Sequence, residues 1–523
     1  MSKTGNEGSE AFRIGDESIR RGITRRGLIS AALGAGVIGF TALRSREAGA
    51  ILPLKKWDKE AAVVIVGTGA AGLSAAIEAK RAGADVLVVE KMPFIGGNTG
   101  ISTAGMNAVM SSLQKERGIK SWSINEFYEW TRMGGDYKNR PDQVRIFAEE
   151  SPATVEFLRG LGAPFTRMTH RSQEITNRWG AGLVELLYKG ARDLNVPILQ
   201  ETKVISLIAD PTTMPKRVHG VQVQDRKGKI LNIQAHKGVI LATGGFGANP
   251  ELVERYDPSL KGFATTNIPG VSTGECMCMA MSLGADTDGL NYIQIHPTVY
   301  AFEGRHGLIT EEVRTYGAIL VNVDGERFVD EEHRRDVVAQ AILKQKNRYA
   351  YLLVSRNVYH PKIDDYMQDG FVVQATTLED LAQKIGIDPA TLKRTVETYN
   401  GYVEAKNDPD FQRGLYREMG KRQMFPGKIE HPPFYSIKVT PGIHHCCGGL
   451  RINRYGQVMD AILGDVIIQK LYAAGEVTGG THGTNRMGGN AIPNCIIFGR
   501  IAGMNAAKEK DDRGGLSRGR PPL

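Results

Sequence analysis

The stretch from Val63 to Glu90 limits the folds open to this chain more than any other. Val63-Val64-Ile65-Val66 is a short, β-branched apolar run, too brief for a helix and suited to a buried parallel strand. Gly67-Thr68-Gly69-Ala70-Ala71-Gly72 follows with the spacing G-x-G-x-x-G. In such a turn the first glycine permits the tight bend, the second lets backbone approach a pyrophosphate, and the third lets the helix press on the strand. The helix start then offers unsatisfied N–H groups and the positive end of its dipole to a diphosphate. A second apolar run, Asp85-Val86-Leu87-Val88-Val89, delivers Glu90 about 20 residues past the glycines, where an acid can hold ribose hydroxyls. Glycine motifs arise by chance in a chain with 62 glycines, but strand, turn, helix, strand and acid in register predict a dinucleotide site. Glu90 and the lack of an adjacent arginine for a 2′-phosphate favour FAD or NAD over NADP.

With 523 residues, 41% of them hydrophobic, the chain can bury a large core in two or three domains. Past residue 50 no apolar run is long enough to span a membrane. Before it, Thr24-Arg25-Arg26-Gly27-Leu28-Ile29-Ser30 places an arginine pair ahead of a weakly hydrophobic stretch, and Ala48-Gly49-Ala50 offers a cleavage site. That order matches a twin-arginine export signal, removed near Ala50; the competing reading is a retained anchor. Twin-arginine export carries folded proteins, so the Tat translocase is an expected transient partner and an exported, periplasmic location is expected. The net charge of +9 is scattered rather than blocked and leaves no footprint for nucleic acid. The five cysteines (Cys276, Cys278, Cys446, Cys447, Cys495) include no C-x-x-C and no C-x-x-C-H, which argues against a zinc ribbon, a disulfide framework and an attached c-type haem. They read as packing residues, and no metal site is expected.

Helices are expected between Ser121 and Gly162, and strands with turns at Asp210-Pro211 and Asp225–Gly228. The run from Gly238 to Gly245, an apolar strand ending in Ala242-Thr243-Gly244-Gly245, is a second place where backbone can approach a dinucleotide. From about 291 to 440 the chain has strands and helices of its own and reads as an inserted cap. Nucleotide-type sequence returns at Leu471-Tyr472-Ala473-Ala474-Gly475-Glu476, followed by a terminal helix from about Ala491 to Lys508.

Several further motifs carry a family resemblance: Gly96-Gly97-Asn98-Thr99, Thr103-Ala104-Gly105-Met106-Asn107-Ala108, Ile295-His296-Pro297-Thr298, Gly325-Glu326-Arg327-Phe328-Val329, Gly442-Ile443-His444-His445 and Asn485-Arg486-Met487-Gly488-Gly489-Asn490-Ala491-Ile492. In this order they resemble the succinate dehydrogenase/fumarate reductase flavoprotein superfamily over nearly all of residues 60–507. The soluble exported branch, which also includes urocanate, methacrylate and acrylate-type reductases, is the best match. The resemblance implies an α/β fold: a discontinuous, Rossmann-like FAD-binding domain with an inserted α+β capping domain. The segments expected are a signal over 1–50, FAD-binding parts over 58–290 and 441–510, a cap over 291–440 and a disordered tail over 511–523. It also resolves the cofactor to FAD. Membrane-complex relatives tether FAD through a histidine just after the Gly-Gly motif; residues 98–105 contain none, so the FAD is expected to be non-covalent. Its holders are expected to be Gly67, Gly69, Ala71, Gly72, Glu90, Lys91, Gly97, Asn98, Thr99, Gly105, Met106, Asn107, Thr243, Gly244, Glu476, Ala491 and Ile492.

The resemblance further implies reduction of the C=C bond of an α,β-unsaturated carboxylate such as fumarate, methacrylate or a urocanate-like acid. The proton donor it implies is Arg335, in His333-Arg334-Arg335-Asp336, fed by Glu311 and Arg314. Without the resemblance these arginines read as a solvated basic face, or as charge balance for Asp330, Glu331 and Glu332. Glu311 and Arg314, three apart, can face one way on a helical turn. Arg486 resembles a carboxylate clamp, His444 a substrate histidine, and His296 with Thr310 the holders of a distal carboxylate. With no haem motif in this sequence, electrons are expected from a separate donor, a multihaem c-type cytochrome or a quinol-linked system in anaerobic respiration. The alternative is an FAD-dependent dehydrogenase running in the oxidative direction on a saturated acid or ketosteroid.

Overall fold

The computed structural model describes residues 56–176, 178–417 and 419–512. The export signal expected over residues 1–50 lies outside them, as does all but the start of the tail expected over 511–523. Asp511 and Asp512 are described, and Asp512 pairs with Arg217 at 2.6 Å and Lys470 at 2.5 Å, just past the terminal helix. The chain divides into two compact units.

The first unit runs to Pro258 and takes in Asn267–Ile293 and the residues from Cys446 onward. At its centre β1 (Lys59–Val66) lies parallel to β2 (Val86–Val89) on one side and to the strand Ile230–Leu241 on the other. Ile467–Ala473 extends the parallel set beyond Ile230–Leu241, and Ile198–Leu199 extends it beyond β2. The register pairs Val66 with both Val89 and Leu241, and Leu241 with Ala473. Four strands therefore end at one level, and the residues that follow are Gly67, Glu90, Ala242-Thr243-Gly244 and Ala474-Gly475-Glu476. Four separate motifs of the sequence meet at the carboxyl edge of one sheet, where ligands of open α/β sheets bind. The strands between Thr202 and Leu241 are longer than the short strands expected, forming an antiparallel meander through Thr202–Asp210 and Arg217–Asp225.

The helix α1 (Ala70–Arg81) packs against the long helix Ala491–Lys508. The crossing is tight because it uses glycine: a Cβ on Gly499 would lie 2.4 Å from the Ala71 carbonyl oxygen, and one on Gly503 2.3 Å from that of Ala75. The two contacts advance together, so the helices run parallel. By a rise of 1.5 Å per residue the long helix begins about 10 Å before α1 does. Among the described residues no helix is long and apolar enough to cross a membrane.

The second unit is Gln294–His445 with Ser259–Thr266. The sequence places the latter segment in the first part; the structure ties it to the second unit by Thr266 N–H to the Ile443 carbonyl and Ile443 N–H to the Ala264 carbonyl, both 2.8 Å. An antiparallel sheet ordered Arg305–Leu308, Ile293–Phe302, Phe434–Cys446, Ala350–Ser355, Ile319–Val321 forms its centre, with Val372–Ala375 also on Phe434–Cys446. The helices Arg335–Leu343, Leu378–Ile385 and Pro389–Ala405 cover a core that includes Leu320, Leu352, Val396 and Ile437. Their boundaries follow local chemistry. Thr377 and Asp388 cap N-termini by accepting from Asp380 N–H and Thr391 N–H, and Gly386 closes Leu378–Ile385 at φ +76°.

Candidate functional site

In the first unit the glycines of the first motif divide into two kinds. A Cβ on Gly72 would lie 1.9 Å from the Gly67 carbonyl oxygen, and one on Gly67 (φ +104°) 2.4 Å from that of Ala242. These two glycines let the chain fold. At Gly69 the nearest neighbour of an added Cβ is Thr99 Oγ1 at 3.6 Å, and at Gly105 it is Thr103 Oγ1 at 3.9 Å, so there a Cβ would make only ordinary van der Waals contact. Gly69 caps α1 without a side-chain hydrogen bond, and the first turn holds no acid. The helix start is thus left to an anion, with Thr99 Oγ1 accepting from Ala70 N–H at 3.0 Å. The long helix starts likewise: Asn490 gives Ala491 and Ile492 no side-chain cap. Beyond the strand ends, Thr243 Oγ1 is buried without a hydrogen-bond partner among the described residues, beside Gly244 at φ +71°. Two uncapped helix starts, open glycines and an orphaned hydroxyl fit an extended dinucleotide with a diphosphate at one end.

Glu90 is buried at the end of β2, where it accepts from Thr68 N–H (3.0 Å), Thr68 Oγ1 (2.6 Å) and Met92 N–H (2.8 Å). Burial raises its pKa even against those bonds. Lys91 and Asn98 are held by protein groups: Lys91 Nζ reaches Thr273 Oγ1 at 2.6 Å and Glu275 at 3.2 Å, and Asn98 ties Asn267, Ser272 and the Ile268 N–H. Gly97, at φ +48°, and Ala71, buried in α1, complete the cradle.

The short strand Gly105–Asn107 carries the buried Met106 and joins the far end of the cradle to the long helix. Asn107 Nδ2 donates to the Gly488 carbonyl at 2.7 Å and Asn490 Oδ1 at 2.8 Å, and its N–H to the Gly489 carbonyl at 2.8 Å. Glu476 accepts from Cys446 N–H at 2.9 Å; burial raises its pKa, with Cys446 N–H and Arg486 working against that. Arg486 is buried on the loop before the long helix. The turn after Ile124–Gly134, which the sequence did not single out, backs that loop: Asn485 Nδ2 donates to the Gly134 carbonyl at 3.2 Å and Arg140 N–H to the Gly480 carbonyl at 2.7 Å. His482, also buried there, is pushed down to about 3 by burial and by Arg486, so it is neutral beside that cation.

In the second unit Arg335 is the first residue of its helix and is buried. Its Nε donates to Glu311 Oε2 at 2.7 Å and its Nη1 to Gln294 Oε1 at 3.0 Å. Nη2 has no hydrogen-bond partner among the described residues. Arg314 approaches the same carboxylate oxygen, its Nη2 3.9 Å from Glu311 Oε2 and its Nη1 donating to the Glu331 carbonyl at 2.5 Å. Burial pushes Glu311 up, but Arg335, Arg417 and Arg314 outweigh it and hold the carboxyl well below the usual range. Burial lowers Arg314, with Glu311 and Glu332 opposing. Gln294 escaped the sequence reading, although it stands two residues before His296 on one strand and so shares its face.

His296 and His444 meet ring to ring at 5.1 Å, and His444 Nδ1 contacts Thr266 Oγ1 at 2.7 Å. Thr310 follows Thr298-bound Ile309; its N–H donates to the Tyr366 hydroxyl at 3.0 Å, and its own hydroxyl accepts from Glu312 N–H at 3.4 Å. Asp330, Glu331 and Glu332 are buried, and the cations that pair with the two glutamates are not Arg334 and Arg335. Glu331 takes Arg327 at 2.9 Å and Arg413 at 2.6 Å, and Glu332 takes Arg417. Among the described residues no cluster of His, Cys, Asp and Glu is disposed to hold a metal.

Residues 62–492 match the family described as FAD binding domain. The NADH:fumarate oxidoreductase of Klebsiella pneumoniae is 39% identical over 479 residues, 89% of this chain and 49% of that protein, so the chain spans about half of it. The fumarate reductase (cytochrome) of Shewanella frigidimarina is 39% identical over 457 residues, 85% of this chain and 77% of that one. The open conformation of a flavocytochrome c3 fumarate reductase superposes with a TM-score of 0.71 at 36% identity, covering 86% of this chain and 79% of that one.

Proposed function

Because this chain belongs to the succinate dehydrogenase/fumarate reductase flavoprotein superfamily, we propose that it is an FAD-dependent oxidoreductase that reduces the C=C bond of an α,β-unsaturated carboxylate, with Arg335 as proton donor. The observation that carries this reading is the orientation of Arg335. Glu311 and Gln294 take two edges of its guanidinium and leave Nη2 available to an alkene carbon. Bound FAD supplies the hydride equivalent for the other carbon of that bond. A guanidinium is a poor acid in water, and holding it at one orientation with its proton supply in contact is what makes it serviceable. Glu311, kept ionised by its three arginines, fixes Arg335 and is placed to return the proton from Arg314.

The planar fork of Arg486 suits a carboxylate, and the charge developing toward an enolate is stabilised by such a cation. His296, His444 and Thr310 supply polar groups for a second carboxylate, which favours a dicarboxylate such as fumarate. The arginine pair at Arg25-Arg26 supports an exported enzyme, and the likeness to a fumarate reductase (cytochrome) supports a cytochrome as its electron donor.

The test is anaerobic oxidation of reduced methyl viologen by the FAD-loaded protein with fumarate, methacrylate and urocanate. Turnover of at least one, fumarate foremost, is expected. A protein whose flavin is bound and reducible but which reoxidises with none of them would overturn the proposal.

A further inference from the structure

The inner proton path, Arg335 to Glu311 to Arg314, ends in the protein interior. The Arg314 side chain is only 3% exposed, and its Nη1 is spent on the Glu331 carbonyl. Every turnover of the proposed reaction consumes a proton at Arg335, so this end must be supplied.

Beside it stands a carboxylate with no assigned role. The Glu332 side chain is 1% exposed and pairs with Arg417, whose side chain is 29% exposed and so reaches solvent. Thr315 Oγ1 donates to Glu332 Oε2 at 3.2 Å and accepts from Arg417 Nη1 at 2.8 Å, while Glu332 N–H donates to Asp330 Oδ1 at 2.8 Å. Glu332 Oε1 and Arg314 Nε are both buried and both lack a hydrogen-bond partner among the described residues. One is an acceptor and the other a donor, and the two side chains feel each other's charge. Buried polar atoms left in this way are ordinarily satisfied by ordered water.

Resting on the function proposed above, we propose that Glu332, held by Arg417 and Thr315, is the outer carboxylate of the proton path, joined to Arg314 by a water between Glu332 Oε1 and Arg314 Nε. The balance is simple. One proton passes from solvent to Glu332, through the water to Arg314, then to Glu311 and Arg335; each group gives one and regains one, and no electron moves. The charged groups facing Glu332 are Arg417, Arg314, Asp330 and Arg413, the last with Nη2 3.8 Å from Oε1. Glu332 acts through other residues, so it is a positioning and relay group rather than a catalytic one. Direct entry at Glu311, whose side chain is 22% exposed, is the competing route.

The experiment compares FAD-loaded parent, Glu332→Gln, Glu332→Asp and Arg417→Gln, driven by reduced viologen with fumarate, across pH and in D₂O. Glu332→Gln should lower kcat about tenfold or more, with KM within about twofold, a loss that deepens as pH rises and a larger solvent isotope effect. Glu332→Asp should recover most of the rate. Arg417→Gln, near the surface, should show the same pH-dependent loss and carries the test if Glu332→Gln does not fold. Flavin-loaded variants with the parent's kcat, pH profile and isotope effect would overturn the branch alone and favour entry at Glu311. A parent inactive on every enoate would overturn the proposed function and the branch with it.

Discussion

The nucleotide-binding unit places its groups with backbone, whereas the second unit places them with buried charge. At the carboxyl edge of the parallel sheet the working residues are glycine, alanine and threonine. Their positions follow from strand register and from the absence of side chains at Gly67 and Gly72. Around Arg335 the groups are Arg314, Arg327, Arg413, Arg417, Glu311, Glu331 and Glu332, fixed by one another. Backbone amides and helix ends do not titrate, so the first arrangement should hold its ligand over a wide pH range. A lattice of ionised side chains is rigid only while all its members are charged, and it can also pass protons. Binding an invariant cofactor and feeding protons call for these two different materials.

The difference can be broken most severely at Gly72. Gly72→Ala puts a methyl group 1.9 Å from the Gly67 carbonyl oxygen, and should give protein without flavin and with a disrupted first unit. Gly69→Ala, at φ −64° with its nearest neighbour at an ordinary 3.6 Å, should fold and lose only flavin affinity. Flavin content after gel filtration, with circular dichroism, checks both; equal behaviour of the two variants would refute the division of glycine roles.

Next in size is the pair Arg413 and Glu331, both fully buried. Glu331→Gln should destabilise the second unit by about 3–5 kcal/mol, since it leaves buried arginines uncompensated. In the parent, Arg327 and Arg413 outweigh burial and pull the Glu331 carboxyl down from its ordinary 4.5 to about 2. Its contribution is therefore complete above about pH 4.5 and is lost as pH falls toward 2. Amide exchange at Leu320, whose N–H donates to Glu331 Oε1 at 3.2 Å, reports it directly. Exchange there that is unchanged in Glu331→Gln would contradict the view that this lattice supports the site.

The smallest effect sharpens the substrate. His296→Ala should lower kcat/KM for fumarate by on the order of tenfold, as expected for one hydrogen bond to a charged group, and for a monocarboxylate such as methacrylate by less. Equal losses on both would place His296 in the scaffold.

The first unit was largely legible in the sequence because its signals are local: strand, glycine turn and helix lie within thirty residues, and the terminal helix occupies Ala491–Lys508 as expected. The second unit was legible only by resemblance. Asp330-Glu331-Glu332 beside Arg334-Arg335 reads as a self-balanced surface run, yet Glu331 pairs with Arg327 and Arg413 and Glu332 with Arg417, and Arg413 and Arg417 lie more than eighty residues on. Such long-range pairing leaves no period or spacing to detect. Ser259–Thr266 was misplaced for the same reason, since only backbone bonds to Ile443 reveal its unit. Gln294 was the one omission with a visible signal, the alternation of a strand that already carried His296.

The central claim, that the second unit supplies the proton through Arg335 while the first independently holds FAD, is tested most directly by one variant. Arg335→Lys keeps the charge but loses the fork that spans Glu311 and Gln294. Anaerobic viologen oxidation and flavin content are measured on the same preparation. The account predicts flavin retained at the parent's level and a fumarate reduction rate lower by about 10²–10⁴. A variant that keeps its flavin and turns over fumarate within a few-fold of the parent would contradict it.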